Sequence, residues 1–273
     1  MNGRRSIAGL CMLCALAFSA FSAQSAGAAS KGTETFTCKN IGDPEGTFAG
    51  PHCIGHDVNG DWAHVLIGNN TKTTTTKENT NETGEKIPFL LKATIAGVST
   101  EIEATTVTGV GSMENKQAAS GEHYSHELDT LTFTGVTVKG PAGKGCKVYK
   151  DEGGTKGKEA EFATNELTTT TEGQGLAETV MPAAGETVAT LFIEGCEGAL
   201  KTLNKTWTIT GGFKGTPEGG TMGFTHAGTT AQETLFFGGA KAGINGSLTR
   251  KGKHPGVEKD EYRALVRTNV ETP

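Results

Sequence analysis

The sequence predicts an all-β chain, a β-sandwich or barrel-like antiparallel architecture with two disulfides. Three observations predict it. Apolar residues recur with period two in segment after segment, as in half-buried strands. The 40 glycines and abundant threonines break those segments into short strands and tight turns. Four cysteines follow an export signal, where an even count reads as disulfides.

The signal opens the chain. Met1-Asn2-Gly3-Arg4-Arg5 is a short positive segment, and an uncharged apolar run extends from Ile7 to Phe21. Ala26-Gly27-Ala28 supplies the small-residue cleavage pattern. The apolar run is shorter than the roughly 20 residues of a spanning helix, so cleavage is expected rather than anchoring. Residues 1–28 are thus read as a signal peptide and residues 29–273 as one secreted β domain. Cleavage removes Cys11 and Cys14 with it, and takes the formal charge from -5 to -7 by the loss of Arg4 and Arg5. That mild acidity gives no electrostatic reason to bind nucleic acid or an anionic membrane. No later segment is long and apolar enough for a membrane span. The expected setting is extracellular or the cell envelope, and a partner there is the one class the sequence suggests.

The four remaining cysteines are Cys38, Cys53, Cys146 and Cys196. Of three possible pairings, Cys38–Cys53 and Cys146–Cys196 are favoured because each pair lies in its own part of the chain. Only 6% of residues are aromatic, so the core is light and the staples count for more.

Strands are expected, in order, at Thr35–Lys39, Trp62–Ile67, Phe89–Val98 and Glu101–Thr108. Leu131 and Phe133 alternate in one phase, Val136 and Val138 in the other, and the switch at Gly135 suggests a bulge. Cys146–Tyr149, Leu167–Thr171, Thr187–Glu194, Trp207–Phe213, Thr234–Phe237, Asn245–Thr249 and Tyr262–Val270 complete the set. Turns are expected at Gly140-Pro141, Gly153-Gly154, Gly219-Gly220, Gly238-Gly239 and Asn245-Gly246. Asn69–Glu85 contains no apolar residue and two sequons, Asn69-Asn70-Thr71 and Asn81-Glu82-Thr83. It reads as a polar, mobile loop or hairpin tip, with residues 30–68 as extra strands or an N-terminal lobe.

Three polar clusters are candidates for chemistry. Pro51–His64 gathers His52, Cys53, His56, Asp57, Asp61 and His64, which are zinc- or calcium-type ligands. The spacing matches neither motif, and a disulfide consumes Cys53. The ordinary reading is a hairpin turn at Asn59-Gly60 leading into Trp62–Ile67. Glu122–Glu127 carries His123 and His126, three apart, and reads as a solvated loop. Phe224–Gln232 places His226 among Thr229 and Thr230, a grouping able to bind a small polar ligand or act as a base. No G-x-S-x-G elbow or phosphate loop is present. The leading expectation is therefore a non-enzymatic binding, adhesive or structural module that needs no cofactor. The alternative is a secreted hydrolase or small-ligand or metal-binding protein using His226 or the His52–His64 cluster.

Several phrases also resemble a known family. They are Thr225–Leu235, Gly239–Gly246, Gly140–Val148, Phe192–Cys196 and the closing Val270-Glu271-Thr272-Pro273. Together they span most of the mature chain and are similar to a family of secreted, β-rich bacterial proteins with no assigned activity. The resemblance implies secretion and a β-rich fold. Relatives carry a further cysteine pair near Ala104 and Val136, and this sequence departs from them there.

Overall fold

Alternation writes the strands as expected. From Phe89 to Ile95 every second residue is buried (Phe89, Leu91, Ala93, Ile95), while Lys92 and Thr94 face water. The computed structural model describes residues 33–42, 46–50, 56–66, 73–78, 88–119, 121, 123–139, 145–172, 177–218, 221–224, 230–253 and 264–268. The signal segment, Cys53, the Gly140-Pro141 and Gly219-Gly220 turns and both sequons lie outside these residues. Among the described residues every strand pairing is antiparallel, and the helical content is one 3-10 turn, Gly198–Leu203.

The strands run β1 Thr33–Asn40, β2 Gly46–Phe48, β3 His56–Gly60, β4 Trp62–Leu66, β5 Thr73–Glu78, β6 Phe89–Ile95 and β7 Val98–Ala104. Next come β8 Thr106–Gln117, β9 His123–Thr134, β10 Thr137–Lys139, β11 Lys147–Glu152, β12 Thr155–Glu159, β13 Glu161–Ala163 and β14 Leu167–Glu172. The last are β15 Ala177–Pro182, β16 Thr187–Glu194, β17 Lys205–Gly211, β18 Phe213–Glu218, β19 Thr221–Phe224, β20 Thr230–Phe237, β21 Ala240–Lys253 and β22 Ala264–Thr268.

A five-stranded sheet joins the two ends of the described chain in the order β22-β1-β4-β2-β3, with Thr33 opposite Thr268. The other pairings form two curled sheets. In the first, the ladders run β8–β9–β14–β15–β18–β19–β21–β5 and return to β8. In the second they run β10–β7–β6–β21–β20–β17–β16–β11, and β12 adds outside β11. This second curl is stitched through Ala160, whose carbonyl accepts from Val136 N–H and whose N–H donates to Val148 O. The long strand β21 belongs to both: Ala242–Asn245 pair with β6, and Thr249–Lys253 pair with β5.

The core fills the second curl and its junction with the first. Phe133 stacks on Phe162 at 4.6 Å and meets Phe89 edge-on at 5.1 Å. Trp207 packs on Phe237 and donates its indole N–H to Leu203 O at 2.7 Å.

Several expectations change. Thr73–Glu78 is strand β5 and closes the first curl between β8 and β21, so that part of the polar segment is not a loop. Four consecutive threonines suit a ladder, even with no apolar side chain. Asn245-Gly246 is not a turn: Asn245 pairs with Leu90 and Gly246 with Phe224, at the point where β21 passes between the curls. Gly135 (φ +62) is not a bulge inside a strand but the break between β9 and β10, which belong to different curls. The phase change there is real, and its cause is a change of sheet. Asn59-Gly60 lies at the end of β3, and β2 separates β3 from β4, so no hairpin joins them. Ala104 and Val136 are buried at 2% and 3% in the apolar core.

One expected staple is described. Cys146 and Cys196 are bonded, with Cα atoms 4.1 Å apart, beside the Lys147–Glu194 register of β11 and β16. The preceding Gly145 (φ +91) and Gly195 (φ +72) permit this approach, since a Cβ on either would press on the other's carbonyl oxygen. The Asn204 amide secures the end, accepting from Cys196 N–H at 2.8 Å and donating to Cys196 O at 2.9 Å. The Cys38–Cys53 pairing lies outside the described residues. Two disulfides were expected, and among the described residues there is this one.

Candidate functional site

Strand β9 presents two chemistries because successive side chains point to opposite faces. On its inner face Ser125, Glu127, Asp129, Leu131 and Phe133 are buried. On its outer face His126, Leu128 and Thr132 are half-buried and Thr130 is exposed. His126 was expected in a loop and is instead the fourth residue of this strand.

The outer face holds a continuous polar chain across three strands. Glu114 on β8 lies directly opposite His126, and Thr170 on β14 faces it from the other side. Glu114 Oε1 is 3.4 Å from His126 Nδ1 and 3.0 Å from Lys116 Nζ. Thr168, diagonal to His126, brings its Oγ1 to 3.0 Å from Nε2. Glu114 is only 6% exposed, so its carboxylate sits in a drier setting than an ordinary surface acid. A carboxylate only accepts, so Glu114 favours the tautomer that carries its proton on Nδ1. In that tautomer Nε2 accepts from the Thr168 hydroxyl. The arrangement can orient an imidazole and draw on a hydroxyl proton.

The inner face carries Glu127 and Asp129, both 2% exposed, side by side. Gly111 lies opposite Asp129, and a Cβ there would overlap its Oδ1. Both residues interact with other groups of the fold.

Toward the second curl the interior turns apolar. A cavity of about 40 Å³ is bounded by Phe89, Phe133, Phe162, Phe213, Leu235 and Ile244, among others. That is well below the roughly 300 Å³ at which ligand pockets begin.

A third polar group decorates β11, β12 and β16. Lys156 hydrogen-bonds Glu194 and lies 4.0 Å above the Tyr149 ring. Its hydrogen bond holds the Glu194 carboxyl below the usual carboxylate range and raises Lys156 itself. Glu159, 3.2 Å from Lys147, raises that lysine likewise through its hydrogen bond.

The residues singled out by sequence fall as follows. His226 and Thr229 lie outside the described residues, as do His52 and Cys53. For Thr230, His56, His64 and Cys38 the strand backbone is described, with His64 opposite Cys38. Asp57 is exposed and its Oδ1 accepts from Asn59 N–H at 3.0 Å. Asp61 is exposed, and its carbonyl accepts from Ile41 and Gly42 N–H. Among the described residues no three His, Cys, Asp or Glu side chains gather as metal ligands. Sequence reading missed Glu114 and Thr168. Each sits in a polar stretch without local distinction, and only the strand register joins them to His126.

No protein-family model, curated protein or solved structure matches the chain.

Proposed function

We propose that this chain is an exported module that binds or builds at the cell envelope from its outer surface, as in the secreted β-rich family it resembles. The observation that carries the reading is the contrast between interior and exterior. The described interior cavity, about 40 Å³, is too small for a ligand of ordinary size. The outer faces of β8 and β9 offer paired hydroxyls, Thr106 opposite Thr134 and Thr108 opposite Thr132, beside an exposed Val110 opposite Thr130. We read the two curled sheets as barrels rather than the halves of a sandwich. The first returns to its starting strand, and closure leaves no open edge for unwanted pairing.

The test is fractionation followed by binding. The full chain expressed in a bacterium should leave the cytoplasm, and the exported form should begin at Ala29. Labelled mature protein should then sediment with purified cell envelopes in a saturable way, competed by unlabelled protein. Retention in the cytoplasm with the N-terminus intact, or binding that never saturates, would sink the reading.

A further inference from the structure

We propose that Thr168 is an activated nucleophile that accepts acyl groups from carboxylic esters, with His126 as its general base and Glu114 as a positioning residue. The hydroxyl lies 3.0 Å from Nε2, within reach for direct proton transfer. The Glu114 carboxylate stands 3.4 Å from Nδ1 and favours the tautomer whose Nε2 faces the Thr168 hydroxyl. Nucleophile to base, and base to orienting acid, is the order that acyl-transfer chemistry requires, whatever the fold beneath it. All three side chains stand on strands in the middle of a curled sheet, so their spacing is set by ladders on both sides of β9 rather than by a loop.

The step balances without any oxidant or metal. Thr168 Oγ1 attacks the ester carbonyl carbon as its proton passes to His126 Nε2. The bond from that carbon to the alcohol oxygen breaks, and the imidazolium returns the proton to the departing oxygen. Water, deprotonated by the same imidazole, then attacks the acyl-threonine, and Thr168 regains its proton. The sum is ester plus water giving acid plus alcohol.

The same sheet limits the rate. Backbone N–H groups of central strands are committed to their ladders, so they do not converge on an oxyanion above the face. The acceleration is that of a base alone, about 10²–10⁴-fold. This inference is independent of envelope binding: protein that fails to sediment with envelopes would still acylate at Thr168.

The probe is 4-nitrophenyl acetate with the mature chain. Wild type should release nitrophenol, and an acid-quenched sample should carry one acetyl group mapped by peptide mass spectrometry to Thr168. Thr168→Val should lose the adduct and about 10²–10⁴-fold of the rate, and Thr168→Ser should restore both. His126→Gln should match Thr168→Val. Glu114→Gln should retain the adduct while shifting the pH profile of its formation, a change that a merely structural glutamate would not cause. An adduct on another residue, or Thr168→Val reacting at the wild-type rate, overturns the proposal. Should Thr168→Val fail to fold, adduct mapping on wild type decides alone, because an unmodified Thr168 is refuting by itself.

Discussion

Removing the Cys146–Cys196 bond is the most informative perturbation of stability. The bond closes a loop with a sequence separation of 50 residues. In the chain-entropy treatment, 2.1 + 1.5R ln 50 is about 14 cal/mol/K, or roughly 4 kcal/mol at 25 °C. Folded domains are stable by only about 5–15 kcal/mol, so the loss would be a large share of the total. The native side adds no obvious compensation, since Gly145, Gly195 and Asn204 already shape the chain to receive the bond. The assay is urea unfolding of wild type and of Cys146→Ser/Cys196→Ser, oxidised and reduced. The double variant should lose about 4 kcal/mol, and reduced wild type should lose at least as much. A loss below about 1 kcal/mol, with unchanged dependence on urea, would refute the loop-closure reasoning. Any further effect of reductant on the double variant would report a second disulfide, the Cys38–Cys53 pairing that the sequence suggests.

Three other outcomes follow from particular residues. Ala96 has φ +49 in the two-residue turn with Gly97 (φ +80) between β6 and β7, a conformation that suits asparagine. Ala96→Asn should therefore raise stability by about 0.5–1 kcal/mol in thermal or urea unfolding. Gly111→Ala should cost about 1–3 kcal/mol, because its Cβ would press on Leu128 O and on the buried Asp129 carboxylate. At Glu194 the folded carboxyl is held below its unfolded value by Lys156, so its contribution is present above the unfolded value and fades as pH falls through the folded one. Lys156 is raised, so its own contribution is present below the unfolded lysine value and fades as pH climbs through the raised one. Carboxyl NMR titration should find Glu194 low in wild type and back in the usual range in Lys156→Ala.

Much of the fold was legible because local pattern carried it. Thr187–Glu194 and Leu167–Thr171 could be read from alternation and β-propensity, and β16 and β14 occupy those stretches. The Cys146–Cys196 pairing followed from the signal-like N-terminus and from position in the chain. What local pattern cannot carry is register. Thr73–Glu78 has no apolar residue, and its strand exists because β8 and β21 flank it. Asn245-Gly246 has turn chemistry, yet lies within β21 because β6 and β19 pair with it on either side of the crossing. The Glu114–His126–Thr168 chain was invisible for the same reason. Its members are 12 and 42 positions apart and meet only across ladders.

The sharing of β21 has a kinetic consequence. Its first half completes one curl and its second half the other, and its partners β5 and β6 lie far toward the N-terminus. Neither curl can shut until β21 is available, residues 240–245 for one and residues 249–253 for the other. Such distant pairings make for slow assembly, since a long loop must close before its contacts stabilise it. A chain threaded N-terminus first across a membrane would therefore reach the far side unfinished, its closure waiting on its last strands. A version truncated before Ala240 should fail to fold cooperatively. Loosening either half of β21 should weaken both curls at once, so that the two unfold as one unit.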